Sequence, residues 1–285
     1  MQIPVSPTPF VLGAVAYDPK VVTIWEGFKE WFEAHDLPFE YVLYANYEAQ
    51  VAAHLRGDIH VAWNSPLAWI QADRAAARAG RKATAIAMRD TDRDLTSVIV
   101  TREGADVHQP ADLRGRRVAV GALDSPQATL IPLHHLAALT GLMPGRDFEV
   151  VRNDVAVGKH GDHVGGERDA ARQLAAGEVD AACMIDGNHL AFLRDGTLSA
   201  AAHRILSQTD PYDHCNFTVL DDVPAEACAR FVALLRSQRY DDPAVRPLLD
   251  LEGLHAWHDG RTSGYALLEG AVDRFGTLDA WLAAR

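Results

Sequence analysis

Cysteine is scarce and odd in number: Cys183, Cys215 and Cys228 are the whole complement of a 285-residue chain. Three thiols cannot close a disulfide framework, so they read as free thiols. Cations are also in deficit. Lys and Arg total 27 against 39 Asp and Glu, and the net charge of −12 argues against nucleic acid and anionic membrane surfaces as partners. No stretch approaches the roughly 18 to 20 continuous apolar residues of a membrane-spanning helix. The segment Met1 to Phe10 has three prolines and neither Lys nor Arg, so a secretory leader is not evident and the chain as given is expected in the cytoplasm. Gly-x-Gly-x-x-Gly, P-loop and Gly-x-Ser-x-Gly patterns are missing too, which leaves nucleotide cofactors without support.

What the chain does have is a 48% hydrophobic composition, enough for a sizeable core, and 13 histidines, the side chain that binds metals and moves protons near neutral pH. Short β-rich runs alternate with helical periodicity, the pattern of a mostly parallel sheet flanked by helices. Val21, Ile24, Trp25, Phe28, Trp31 and Phe32 form one apolar helix face that ends before Pro38. Asn46 is positioned to cap a helix over 49–56, and Asn64-Ser65-Pro66 and Asp124-Ser125-Pro126 each open another. The pattern restarts after the charged stretch Arg89 to Asp94, and everything beyond Pro224 reads as helix. Two α/β units in series with a helical tail predict two lobes. Strands near 96–101 and 216–220 carry the crossovers, and a ligand cleft lies where strand C-terminal ends meet helix N-termini.

A family resemblance covers roughly Val11 to Leu220. It rests on Val11 to Tyr17, Asn46-Tyr47-Glu48-Ala49, His54 to Ile59, Ala62 to Pro66, Ala111 to Ala119, Asp124-Ser125, Ile131-Pro132 and Ala175 to Ala182 in that order. In these segments the chain resembles the phosphonate- and phosphite-binding branch of the type 2 periplasmic binding proteins. The resemblance implies a two-lobed clamp that closes on a small anion. One lobe would be built from 1–99 plus 214–285 and the other from 100–213. Tyr17, Tyr47, Asn64 and Ser65 would line the first lobe, and Ser125, the loop around His160 and Asp186 the second. Two departures matter. Where relatives present a Ser-Thr-Ser-Gly-like turn to phosphonate oxygens, this chain has Ser125-Pro126-Gln127-Ala128, with one N–H and two hydroxyls fewer. A carboxylate or neutral polar ligand thereby becomes plausible. An export signal and a lipidation cysteine are also not seen.

Two constellations could carry chemistry. The loop Gly158-Lys159-His160-Gly161-Asp162-His163 supplies proton-transfer groups and metal ligands, or else is merely solvated surface. The second comprises Cys183, which alternatively is a small buried hydrophobe, and Asp213-His214-Cys215 at the return crossover. From these the main expectation is an enzyme on the clamp, of lyase or hydrolase type, acting on a small carboxylate or phosphorylated substrate. His160, His214 and Asp186 would be its catalytic residues. Tyr17, Tyr47, Asn64, Ser65, Ser125, Gln127 and Lys159 would hold the substrate, and His160, His163 and Cys215 would hold a divalent transition metal, zinc or iron. The alternative is a non-catalytic solute-binding protein for a phosphonate-, phosphate- or carboxylate-like ligand, working with an ABC permease.

Overall fold

The computed structural model describes residues 8–161 and 165–279. The chain divides into two compact units, the first comprising Met1–Arg93 with His214–Thr262 and the second Asp94–Asp213 with Ser263–Arg285. The passages after Arg93 and before His214 fall just ahead of the strands expected to carry them. A third passage, after Thr262, was not anticipated: the tail splits, and its last stretch belongs to the second unit rather than the first. Packing explains this. Phe275 is set against the second unit's core, and a Cβ at Gly270 would stand 3.0 Å from the His134 ring.

The first unit is a six-stranded sheet in the order β11-β4-β10-β3-β1-β2. Its strands are β1 (Phe10–Val15), β2 (Phe39–Tyr44), β3 (Val61–Asn64), β4 (Ala83–Arg89), β10 (Asn216–Leu220) and β11 (Trp257–Asp259). β1 pairs parallel with β2 and β3, whereas β10 runs antiparallel to β3 and β4, so the sheet is mixed rather than mostly parallel. The apolar face of α1 (Lys20–Ala34) buries Trp25, Phe28 and Phe32 against Phe39, Phe217, Phe231 and Trp257. Phe217 and Phe231 meet edge-on at 5.1 Å, one of several tilted aromatic pairs in this core. Here β11, expected as helix, is a strand, because Trp257 to Asp259 complete the open edge of β4. The segment is only three residues long, too short to show period-2 alternation. Caps follow the sequence expectation. Asn46 Oδ1 accepts from Ala49 N–H at 2.8 Å to start α2 (Tyr47–Arg56), and Ser65 Oγ accepts from Ala68 N–H at 3.1 Å to start α3 (Pro66–Arg78).

The second unit is a five-stranded sheet in the order β7-β6-β8-β5-β9. It is built from β5 (Ser97–Arg102), β6 (Arg117–Val120), β7 (Glu149–Arg152), β8 (Ala181–Ile185) and β9 (His203–Gln208). β6 lies parallel to β7 and β8, while β5 runs antiparallel to β8 and β9. After β6 the chain makes a turn of π-helix, Pro126–Leu130, before α4 (Ile131–Thr140). α5 (Gly165–Ala175) and α6 (Asp186–Arg194) pack on the other strands. Cys183 is fully buried in β8, and burial pushes its thiol up to about 12. It is a core residue, as the alternative reading had it. No helix among the described residues is long and apolar enough to cross a membrane.

His54 on α2 gives a measurable signature. It is 2% exposed, neither ring nitrogen has a partner among the described residues, and burial lowers it from 6.5 to about 4. Above pH 6.5 the ring is neutral in both folded and unfolded chains, so it adds no pH dependence. Between 6.5 and 4 the unfolded chain takes up a proton that the folded one refuses, and stability falls by up to about 3 kcal/mol. Urea unfolding across this range should show that loss, and His54→Leu should flatten it. An equally steep decline in the variant would assign the loss to other groups.

Candidate functional site

Each unit brings strand ends and helix starts together, and the sequence-selected residues sit at those points. In the first unit Tyr17 follows β1 and is half-buried, while Tyr47 opens α2 with its ring buried. Asn64 ends β3 with its side chain engaged on both sides. Its Oδ1 accepts from Gln50 Nε2 at 2.8 Å, and its Nδ2 donates to Thr218 Oγ1 at 2.9 Å, which in turn donates to Asn216 Oδ1. Asn64 therefore locks β3 to β10 and α2. Ser65 is fully buried as the cap of α3.

The residues where the chain leaves the first unit and where it returns form a tight polar centre. One ligand atom each from Asp92, His214 and Cys215 lies within 4.8 Å of the others. His214 Nδ1 is 3.1 Å from Cys215 Sγ, and the Cys215 N–H donates to Asp92 Oδ1 at 3.2 Å. Both oxygens of Asp92 also accept from Arg89, Oδ2 from Nε at 2.6 Å and Oδ1 from Nη2 at 2.8 Å. The guanidinium, stacked over Trp63 with its carbon 5.1 Å from the ring centre, donates further to the Glu252 carbonyl. Although burial works against ionisation, the Arg89 charge holds the Asp92 carboxyl at about 2. The zinc or iron expected at Cys215 does not fit this centre. Its carboxylates, Asp92 and Glu252, both face the Arg89 guanidinium, which meets Asp92 on both oxygens and whose charge repels a second cation.

In the second unit Ser125 Oγ accepts from Ala128 N–H at 3.2 Å, and Pro126 supplies no N–H. Gln127, 4% exposed, donates from Nε2 to the Gly161 carbonyl at 2.7 Å. Ala156, Gly158, His160 and Gly161 all have φ between +51° and +85°, so the loop is wound tightly. Gly161 is required: a Cβ there would stand 2.5 Å from Ser125 Oγ. His160 is fully buried beside Asp124, and Lys159 is half-buried. Asp186 opens α6. Its Oδ2 accepts from Thr96 Oγ1 at 2.9 Å and its Oδ1 from Gly187 N–H at 2.6 Å. His163, also expected as a metal ligand, lies outside the described residues.

Sequence reasoning missed Arg89 and Asp92, which it passed over as part of a charged loop. The available signal was their three-residue spacing at the end of an apolar strand. It also missed Tyr212 and Ser97. These two hydroxyls lie 2.7 Å apart, and Ser97 Oγ donates to the Gln127 carbonyl at 2.5 Å.

A family model described as "ABC transporter, phosphonate, periplasmic substrate-binding protein" matches residues 13–265. The chain belongs to this family. Among solved structures, PhnD1 from Prochlorococcus marinus (MIT 9301), in complex with methylphosphonate, is 16% identical with a TM-score of 0.69, covering 95% of this chain and 99% of that one. XAC2383 from Xanthomonas citri, bound to chloride, gives the same figures, 16% and 0.69 over 95% and 99%. A binding-protein component of a phosphonate ABC transporter from Pseudomonas aeruginosa is 12% identical with a TM-score of 0.63 over 97% and 96%. At such identities these likenesses show the fold alone, that of two-lobed type 2 periplasmic binding proteins, as the sequence resemblance implied.

Family membership overturns the main functional expectation. The family comprises substrate-binding proteins of ABC transporters, not lyases or hydrolases, so the catalytic roles assigned to His160, His214 and Asp186 fall with the enzyme reading. The cytoplasmic placement likewise finds no support in a periplasmic family. Those assignments came from counting reactive residue types without their partners. With the partners visible, Asp92 and Asp186 are held by neighbours of their own unit.

Arg89→Met should therefore destabilise the protein by about 3 to 5 kcal/mol, because it strands a buried carboxylate. Adding Asp92→Asn should recover part of the loss in urea unfolding. If the single variant costs under about 1 kcal/mol, the pair does not organise this centre.

Proposed function

We propose that this chain is the solute-capture component of an ABC uptake system, binding a small anion-bearing ligand reversibly and without chemical change. The observation that carries this reading is the family match across residues 13–265. Local geometry agrees with it. Both units end strands in buried Ser-Pro helix starts, Ser65-Pro66 and Ser125-Pro126, which are rigid platforms for holding a ligand. The Cys183 thiol, raised to about 12, is not a nucleophile at physiological pH. Tyr17, Tyr47 and Lys159 are the side chains we assign to the ligand. Lys159 supplies a positive charge for its anionic group, whether phosphonate, phosphate or carboxylate. Ser125 and Gln127 shape the second unit's contribution, whereas Asn64 and Ser65 hold the platform of the first.

Calorimetric titration with small phosphonates, phosphate and short carboxylates tests this. One ligand class should bind with one-to-one stoichiometry, be recovered unaltered and raise the unfolding temperature, the gain being about 2.7 kcal/mol at a hundredfold excess over Kd. Lys159→Met should weaken that ligand about tenfold. Conversion of the ligand to a product, or no saturable binding of any of these compounds, would overturn the reading.

A further inference from the structure

The helix that follows β10 in the first unit, α7 (Ala225–Ser237), turns Phe231, Leu234 and Leu235 into the core and leaves Ala225, Ala229 and Ala233 exposed, one turn apart. A groove runs along each side of that outer face. One, of about 960 Å³, separates α7 from residues 36–38, and the other, of about 810 Å³, separates it from β4 and the end of β10. Ala229 and Ala233 line both grooves. The walls of the second are the outer side chains of the core, with Ile86, Val223, Cys228 and Val232 half-buried there. A second helix fits this relief, because its side-chain ridges enter the grooves while the alanines let the two axes approach to about 8 Å.

The charges on the face select which helix. Glu226 and Arg230 both line the first groove, and neither forms an ion pair among the described residues; the Arg230 guanidinium donates to the His35 carbonyl. Asp221 and Arg236 line the second groove, before and at the end of α7, in exposed pairs with Arg81 and Asp259 that exchange at little cost. On both sides the acid precedes the base along the chain, so a parallel pairing of two such helices would set like charge against like. An antiparallel pairing about a two-fold axis at Ala229 keeps each groove facing its own counterpart. Ala225 then lies opposite Ala233 of the second copy and Asp221 opposite its Arg236, while Glu226 comes within about 3 Å of Arg230 along the axis. We propose that this face joins two copies of the chain, α7 against α7 in antiparallel register. A specific dimer buries about 800 Å² on each partner, more than a helix face of about 20 Å by 10 Å provides, so the contact takes in the groove walls as well. The inference stands apart from the receptor reading and from any ligand.

Sedimentation equilibrium at about 100 µM should give twice the monomer mass. Ala229→Glu puts two carboxylates together on the axis and should weaken the association at least about tenfold, with the melting transition retained. Glu226→Arg and Arg230→Glu should each weaken it, and both together in one chain should restore it, because the exchanged charges meet again across the axis. Cross-linking reads the register. With Cys228→Ser as background and Cys183 and Cys215 buried, Ala225→Cys chains should form a disulfide with Ala233→Cys chains and not with one another. A single monomeric species at that concentration would overturn the proposal. So would a dimer indifferent to Ala229→Glu, a charge-exchanged chain that associates no better than either single variant, or self-linking of the Ala225→Cys chains.

Discussion

The pairing of Arg89 with Asp92 is the contact on which the first unit's connections depend. A carboxylate 1% exposed at the end of β4 is tolerable only because a guanidinium meets it on both oxygens. The paired carboxylate then organises its surroundings. Its backbone carbonyl accepts from the His214 N–H at 2.8 Å and its side chain from the Cys215 N–H, fixing the chain as it returns to the sheet in β10. The same guanidinium holds the carbonyl of Glu252 at the end of the helix Arg246–Glu252 and stacks on Trp63 of β3. One charge pair thus ties together four segments distant in sequence, and the His214 and Cys215 side chains lie beside it as packing and hydrogen-bonding partners.

The second unit uses neutral polar groups for the same purpose. Burial raises the Tyr212 phenol well above its ordinary value, so it stays protonated. It pairs with Ser97 Oγ, which donates to the backbone of Gln127. That chain anchors the π-turn after β6, and the Gln127 side chain in turn anchors the left-handed loop ending at Gly161. Gly161 is glycine there because the loop packs closely on Ser125.

Much of this was legible in the sequence. The three- and four-residue apolar spacing of α1, the caps at Asn46 and Ser65, and the Pro at both Ser-Pro helix starts are local signals, and local physics decided them. The order of short motifs was enough to place the fold. What could not be read were outcomes of long-range pairing. Asn64 looked like a ligand contact until Gln50 and Thr218 were seen to occupy it, and β11 is a strand only because β4 offers an edge. The functional misreading has the same origin. His214, Cys215 and Asp186 have the residue types of chemistry, but type does not reveal whether a neighbour has already taken up the lone pairs.

The histidine excess is explained in the same way. Burial lowers His54, His60, His134, His135 and His189, so these rings are neutral near pH 7 and add nothing to the charge balance. They serve as medium-sized polar fillers: His60 stacks on Phe10 at 5.4 Å and accepts from the Val11 N–H, and His135 meets Ser207 at 2.7 Å. The helix starts at Ser65 and Ser125 are likewise capped from within, each hydroxyl accepting one backbone N–H of its own helix.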